Sequence, residues 1–386
     1  MKKENRYLFI AGASRSGTTL LMNLLDAQRE LLIFPLEHKV FSKFFTVPES
    51  ARREYFTKNF ITERTEGQQT VLASRELFEQ YRRRIRREFG TNFELDVDSE
   101  RFLRRYREVL GETEISLESI LNALTEALVS SNPQAAADYA AATYVVYKDP
   151  FTTEFFAQRA AAELPSAKFL HIIRDPYARY CSIKKRHLSR GRVLKREVSR
   201  RINFRDFASG YAEQAIASLH SGLATQRQIS SGRYLIMRFE DLVDDPRESL
   251  QKIGEWLGVE LDASASEPSK LGKPVESGSS FSPVSGIDTR ATDRGKQYFF
   301  EMTSASERDV YNRCLAASKY SRFYNLMEPD GREASFFTWA RPYKHERIRD
   351  YCWRIATRQG VARRSDTTYA DGLADRLPAL YLNGRI

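Results

Sequence analysis

The stretch Tyr7-Leu8-Phe9-Ile10-Ala11-Gly12-Ala13-Ser14-Arg15-Ser16-Gly17-Thr18-Thr19-Leu20 decides the fold. Its first seven residues are a continuous apolar run that contains one glycine, the pattern of a strand buried on both faces of a parallel sheet. Glycine, serine and threonine dominate from Gly12 to Thr19. Leu20, Leu21, Leu24 and Leu25 then recur at helical spacing. The unit reads strand, small-residue loop, helix. Gly12 and Gly17 have the spacing of a phosphate-binding loop, whose backbone amides and following helix N-terminus cradle an anion. A nucleoside triphosphatase needs lysine directly after the second glycine, to neutralise the β and γ phosphates. Here that place holds Thr18, and the cation sits inside the loop as Arg15. One arginine, the loop amides and two hydroxyls suit an anion of lower charge than a triphosphate, held without a magnesium clamp. An ordinary glycine turn is the plainer reading of the same residues.

Further strand signals lie at Tyr144-Val145-Val146-Tyr147, Lys168-Phe169-Leu170-His171-Ile172-Ile173 and Tyr234-Leu235-Ile236-Met237, each with a helical pattern beside it. Alternating strands and helices predict a parallel, doubly wound sheet. Ligands of such sheets bind beyond the carboxyl ends of the strands. The loops after Ala13, Tyr147, Ile173 and Arg238 are therefore expected to converge on one site. Lys148 and Arg174 stand at two of these ends, and Ser182 follows Arg174 by eight residues. Arg174 and Ser182 can grip a second phosphate, the guanidinium giving paired donors. Read singly, Lys148 is a plain strand terminus, and Arg174-Asp175 is a surface pair before Pro176 at a first helical position. Three strand ends carrying Arg15, Lys148 and Arg174 are harder to dismiss together.

Residues 40–140 differ. They are rich in arginine, glutamate and aromatics and predict a helical insertion, a lid or cap over the acceptor site. Ser116 caps a helix with apolar positions at Leu117, Ile120, Leu121, Leu124 and Leu128, and Pro133 lies beyond it. Residues 264–292 are rich in serine, glycine and proline and read as loop. Residues 1–328 form the α/β domain on this reading. Residues 329–386 form a basic, aromatic C-terminal extension with a helix around His345 to Arg358.

The chain has 386 residues, 41% of them apolar, enough for a sizeable core. Its net charge of +10 favours anionic partners without choosing among them. The three cysteines, Cys181, Cys314 and Cys352, have no zinc spacing and no disulfide pattern. With no run long enough to span a bilayer, they point to a reducing, cytoplasmic setting. Basic residues leave peripheral membrane contact open. The runs Arg82, Arg83, Arg84, Arg86, Arg87 and Lys184, Lys185, Arg186, Arg190, Arg192 are first of all solvated faces. The second run follows Arg174 and Ser182.

The chain resembles the PAPS-dependent sulfotransferases (PAPS is 3′-phosphoadenosine 5′-phosphosulfate). The resemblance lies in residues 14–20, in Lys148-Asp149-Pro150-Phe151, in Arg174-Asp175-Pro176 with Ser182, and in Arg238-Phe239-Glu240-Asp241-Leu242-Val243 followed by Pro246 and Leu250. It is nearest to the branch of the tyrosylprotein sulfotransferases and many bacterial members, and covers residues 6–38 and 144–258. It implies a P-loop-like parallel sheet flanked by helices. It implies that Arg15, Ser16, Gly17, Thr18 and Thr19 hold the 5′-phosphosulfate, and that Arg174 and Ser182 hold the 3′-phosphate. It also implies 3′,5′-adenosine bisphosphate as product and no metal. Arg290, Arg294, Gly295 and Lys296 loosely match a late loop that contacts the 3′-phosphate in many members.

A glutamate shortly after the first helix is the base in the tyrosylprotein branch, and Glu37 sits close to that place. Other branches use histidine, and His38 is adjacent. Arg15 and Lys148 would stabilise charge on the sulfonate and the leaving phosphate. The expected acceptor is a hydroxyl of a saccharide or glycoconjugate. Two rivals stand beside this reading. A P-loop nucleotide kinase would need a lysine where Thr18 stands and a magnesium-binding aspartate, and the sequence offers no convincing one. A basic nucleic-acid-binding protein fits the charge but leaves the strand-end cations unexplained.

Overall fold

The computed structural model describes residues 5–327 apart from 27, 62–68, 90–94, 112, 151, 194–203, 230–231, 263–266, 276–285, 293 and 317. The C-terminal extension expected at 329–386, with its helix near His345, lies outside the described residues. Strand β1 (Arg6–Ala11) leads through the glycine loop into helix α1 (Thr18–Leu25), and β2 (Leu31–Glu37) follows. Seven α-helices come next among the described residues, with a π-helical turn at Tyr55–Asn59 after the second: α2 (Val40–Thr46), α3 (Glu49–Glu54), α4 (Gln69–Leu72), α5 (Arg75–Phe89), α6 (Ser99–Gly111), α7 (Leu117–Ser131) and α8 (Pro133–Ala141). Then come β3 (Tyr144–Lys148), α9 (Thr153–Glu163), β4 (Lys168–Ile173), α10 (Pro176–Val193), α11 (Phe204–Gln228) and β5 (Tyr234–Arg238). Helices α12 (Phe239–Asp244) and α13 (Pro246–Leu257) precede a short hairpin, β6 (Ser269–Lys270) and β7 (Lys273–Pro274). Helices α14 (Arg294–Met302) and α15 (Ala305–Ala316) follow, and a 3₁₀ turn at Lys319–Arg322 completes the described fold.

The five long strands form one sheet in the order β2-β3-β1-β4-β5, every neighbouring pair parallel. Their carboxyl ends therefore share one edge, as the alternation of strands and helices predicts. Leu8 and Ile10 of β1 face α1 and α13, while Tyr7 and Phe9 face the inserted helices and α9. Both faces being covered explains the unbroken apolar run. A third cluster ties α10 to α11, α14 and α15 through Tyr177, Tyr180, Phe299 and Tyr311.

Strand β2 carries no alternation and contains Pro35, which argues against a strand in a sequence reading. It forms because it is the edge strand, where a missing amide can face outward at no cost to the ladder. Its register with β3 shifts between Ile33 and Glu37, around that proline.

The insertion is helical, as expected. Ser116 and Ser119 satisfy each other's backbone amides at the start of α7, at 2.9 and 3.0 Å. The face Leu117, Ile120, Leu121, Leu124 and Leu128 is fully buried. Each such leucine contributes about 2 kcal/mol of burial. Asn132 caps α8 through the Ala135 amide at 2.7 Å, with Pro133 at its first position. No described helix is long and apolar enough to cross a membrane.

Candidate active site

Three residues of the loop after β1 hold backbone angles in the positive-φ region: Gly12 (143°), Arg15 (70°) and Gly17 (98°). Glycine is required at two of them by contact as well. A Cβ on Gly12 would lie 2.5 Å from the Ile172 carbonyl oxygen, and one on Gly17 would lie 2.2 Å from the Phe239 ring. Arg15 accepts a conformation that costs a side-chain-bearing residue about 1 kcal/mol. That turn presents its guanidinium to α10 and its carbonyl to Arg174. Arg15 Nε donates to Ser182 Oγ at 3.1 Å, and Arg174 Nη1 donates to the Arg15 carbonyl at 3.2 Å. The Arg174 guanidinium lies 4.2 Å above the Phe239 ring.

Two buried polar atoms here have no hydrogen-bond partner among the described residues: Ser16 Oγ and Arg174 Nε. Unsatisfied buried donors are costly unless a ligand meets them. Together with the glycine-only approach at Gly17, they fit an anion cradled by the loop. Burial pulls the Arg174 pKa below its usual value, with Glu240 and Asp175 opposing.

The other half of the site lies where β2 and β3 end. Lys148 Nζ donates to Thr19 Oγ1 at 2.9 Å and to Glu37 Oε1 at 3.2 Å. Its side chain is only 4% exposed, that of Glu37 29%. A second pair crosses beside it: Lys39 Nζ to Asp149 Oδ1 at 2.8 Å. Burial pushes the Glu37 carboxyl up, but Lys148, then Lys39 and Arg186, more than offset this and hold it below the ordinary range. Asp149 is raised by burial to about 6, against Lys39 and Thr152. His38 is completely buried. Its Nδ1 accepts from the Val40 amide at 3.2 Å, and its ring packs edge-on against Phe41 and Tyr147. Burial takes its pKa down to about 3.

The structure thus joins Arg15, Ser16, Gly17, Thr18, Thr19, Lys148, Glu37, Arg174 and Ser182 around one loop, and turns His38 into the aromatic core. Arg290 pairs with its neighbour Asp288 at 3.2 Å, and Arg294 opens α14. The side chains of Arg294, Gly295 and Lys296 lie outside the described residues, as do those of Arg84, Arg86, Arg87, Arg190 and Arg192.

Several residues of the site carry no clear signal in sequence. Fully buried Arg179 donates to the Ser14 carbonyl and the Tyr211 carbonyl, both at 2.9 Å, and to Gln214, tying the loop to α11. Glu240 accepts from the Asp175 amide at 2.9 Å and from the Tyr324 hydroxyl at 2.8 Å, so it braces the turn that carries Arg174. Lys270, on the hairpin, feels Lys148, Asp26 and Glu37; burial first and Lys148 second lower its pKa to about 8. The hairpin reaches there because Asp26, at the end of α1, accepts from Ser269 Oγ and from the Leu271 and Gly272 amides at 2.7, 2.8 and 3.0 Å. Residue spacing links none of these to the loop. Arg179 falls between Arg174 and Ser182, and Glu240 within the quoted stretch Arg238–Val243, but neither stretch says what these two residues hold.

A parallel sheet with a glycine loop, no loop lysine, and cations at three strand ends defines an α/β protein of P-loop-like architecture. The chain belongs to the sulfotransferase family, whose model matches residues 8–263. Members move a sulfonyl group to an acceptor, usually from PAPS. Solved structures similar to the chain include the sulfotransferase domain of a Synechococcus olefin synthase, 18% identical, covering 85% of this chain and 98% of its own, with a TM-score of 0.45. The sulfotransferase domain of the curacin biosynthetic pathway is 16% identical, covering 84% and 100%, with a TM-score of 0.46. A sulfotransferase from Alicyclobacillus acidocaldarius is 13% identical, covering 81% and 97%, with a TM-score of 0.35. Among curated proteins none matches the chain.

Proposed function

We propose that this enzyme transfers the sulfonate of PAPS to a hydroxyl of a saccharide or glycoconjugate, with Glu37 as the base. The observation that carries this reading is the position of Lys148, hydrogen-bonded at once to Thr19 at the end of the loop and to Glu37. One cation thereby links the anion cradle to the Glu37 carboxylate.

In the reaction, Glu37 takes the acceptor proton as the acceptor oxygen bonds to sulfur and the bond from sulfur to the 5′-phosphate oxygen breaks. Loop amides, Arg15 and Lys148 stabilise the charge that moves onto the leaving phosphate. Arg174 and Ser182 hold the 3′-phosphate, and Phe239 supports Arg174 from below. A bound phosphosulfate competes with Glu37 for Lys148. As Lys148 turns toward the sulfonate, Glu37 loses its strongest charge partner and becomes a stronger base when it is needed. His38 is the weaker choice for this role, since a fully buried imidazole with a pKa near 3 cannot meet an incoming hydroxyl. The saccharide assignment rests on the lining near Glu37, which is charged: Lys39, Asp149, Lys148 and Arg186. The aromatic rings Phe41, Phe44, Phe56, Phe60 and Tyr106 of the insertion are spent in its own core.

Calorimetric binding of 3′,5′-adenosine bisphosphate, beside ATP with magnesium, tests the donor half. Tight binding that is indifferent to magnesium and lost in Arg174→Ala supports it. Preference for magnesium-ATP refutes it. Sulfonate transfer to uronic-acid-containing oligosaccharides, compared with simple phenols, tests the acceptor half.

A further inference from the structure

On the sheet face opposite α1, beneath the loop, lies a buried polar chain that the transfer chemistry does not use. Glu154, in the first turn of α9 and completely buried, accepts from the Gly12 amide at 3.3 Å through Oε2 and from the Ser218 hydroxyl at 2.6 Å through Oε1. Ser218 Oγ is 3.3 Å from His171 Nε2, and His171 Nδ1 is 2.9 Å from the Tyr234 hydroxyl. Ser218, His171 and Tyr234 are all buried.

An ionised carboxylate only accepts hydrogen bonds, which orients the whole chain. Ser218 must donate to Glu154, His171 Nε2–H to Ser218, and the Tyr234 hydroxyl to His171 Nδ1. Protonation of Oε1 reverses every link. The carboxylic acid then donates to Ser218, Ser218 to His171 Nε2, and Nδ1–H to the tyrosine oxygen. In both states Oε2 still accepts from Gly12 and the ring stays neutral, in keeping with its pKa of about 3. Reorienting hydroxyl hydrogens and switching the histidine tautomer therefore carry the chain between the two charge states of Glu154, the neutral state costing only the hydrogen bond that the Tyr234 hydroxyl donates in the ionised one.

The groups that act on Glu154 favour its neutral form. Burial raises its pKa most, Ser218 and the Gly12 amide oppose this, and the strongest charge acting on it is another carboxylate, Asp149. Tyr234 and Tyr320 also feel it, and both are neutral. An anion in the loop adds negative charge to the same low-dielectric region. Binding of that anion and protonation of Glu154 must then favour each other reciprocally.

We propose that Glu154 is a positioning residue of the donor loop, holding its first amide, and that it takes up a proton from solvent when the loop binds its anion. The proposal rests on reading residues 12–19 as the donor loop. The test is calorimetry of 3′,5′-adenosine bisphosphate binding from pH 6 to 8 in two buffers of different ionisation heat, which counts protons. The ligand's own phosphates also titrate, so Glu154→Gln serves as reference. Its amide can accept from Gly12 and donate to Ser218. Wild type is expected to bind more protons per site than Glu154→Gln, by up to one. The ratio of their dissociation constants should change by up to about tenfold per pH unit. Equal proton counts in the two proteins overturn the proposal. If Glu154→Gln does not fold, Ser218→Ala decides. It removes a donor that favours the charged form, so the uptake window must move to higher pH, and an unmoved window overturns the proposal. Absence of bisphosphate binding by wild type sinks the donor-loop reading, and this proposal with it.

Discussion

Replacing Glu37 by glutamine removes a base while keeping a side chain that still accepts from Lys148. The ion pair it replaces joins a lysine 4% exposed to a carboxylate 29% exposed. An amide oxygen in the same place preserves one hydrogen bond, so the fold should lose about 1 kcal/mol or less. The chemical step has no such substitute. Loss of a positioned base costs about 10²–10⁴ in rate, which is about 3–5 kcal/mol of barrier at 1.36 kcal/mol per decade. Because Lys148 and Lys39 overcome burial and hold Glu37 below the usual carboxylate range, this group stays ionised in the free enzyme throughout the neutral region. As pH falls, kcat/KM should therefore drop on account of Glu37 only at a pH lower than an ordinary glutamate would give. The assay is single-turnover release of 3′,5′-adenosine bisphosphate from PAPS and acceptor, with the bisphosphate Kd measured alongside. Glu37→Gln should keep that Kd within about threefold and lose the chemical step. Turnover within about threefold of wild type, with the Kd unchanged, would show that another group takes the proton.

Lys148→Met should lower kcat by about 10²–10³; it should also raise the Glu37 pKa, since burial then acts with less opposition, and an acid limb that moves up in the variant checks this. Arg174→Ala removes a charge-assisted contact worth about 1.5–3 kcal/mol and should weaken bisphosphate binding about 10- to 150-fold by calorimetry. Gly17→Ala combines a positive φ with a Cβ 2.2 Å from the Phe239 ring, so chemical denaturation should show a loss of about 1–3 kcal/mol or more. His38 and His171 are buried with pKa values of about 3. The unfolded chain protonates both near pH 6.5, so their contribution is present above that value and is lost as pH falls from 6.5 toward 3. Each should forfeit about 2 kcal/mol between pH 7 and pH 5, while Asp149, raised to about 6, returns about 1 kcal/mol over the same interval. Ring signals of both histidines that stay constant by NMR from pH 8 to pH 5 would verify the cause; titration of either near 6.5 would refute it.

The β1–loop–α1 unit was legible in sequence because its forces are local. A doubly buried strand must be apolar throughout, a loop that turns through positive φ must place glycine at 12 and 17, and a helix must repeat its leucines. The strand ends at Lys148 and Arg174 were legible for the same reason, since an apolar run that stops on a cation marks its own boundary. Ser116 likewise announced α7, whereas α8, which begins at Pro133, was not read from the sequence. Strand β2 was not legible: Pro35 speaks against a strand unless its neighbour on one side is known to be absent, and only the sheet order shows that. Glu37 was nameable from the resemblance, but its ion pair with Lys148 depends on the β2–β3 register, which no local pattern encodes. The same holds for Arg179 under Ser14, Glu154 under Gly12 and Lys270 beside Lys148, which come from segments separated by more than 100 residues of chain in every case. By itself the sequence determined the identity of the loop and the cations at its rim, because backbone conformation and burial constrain neighbouring residues directly. Only the tertiary structure decided which carboxylates and donors meet that loop, because charge interactions and hydrogen bonds act across space and are indifferent to distance along the chain.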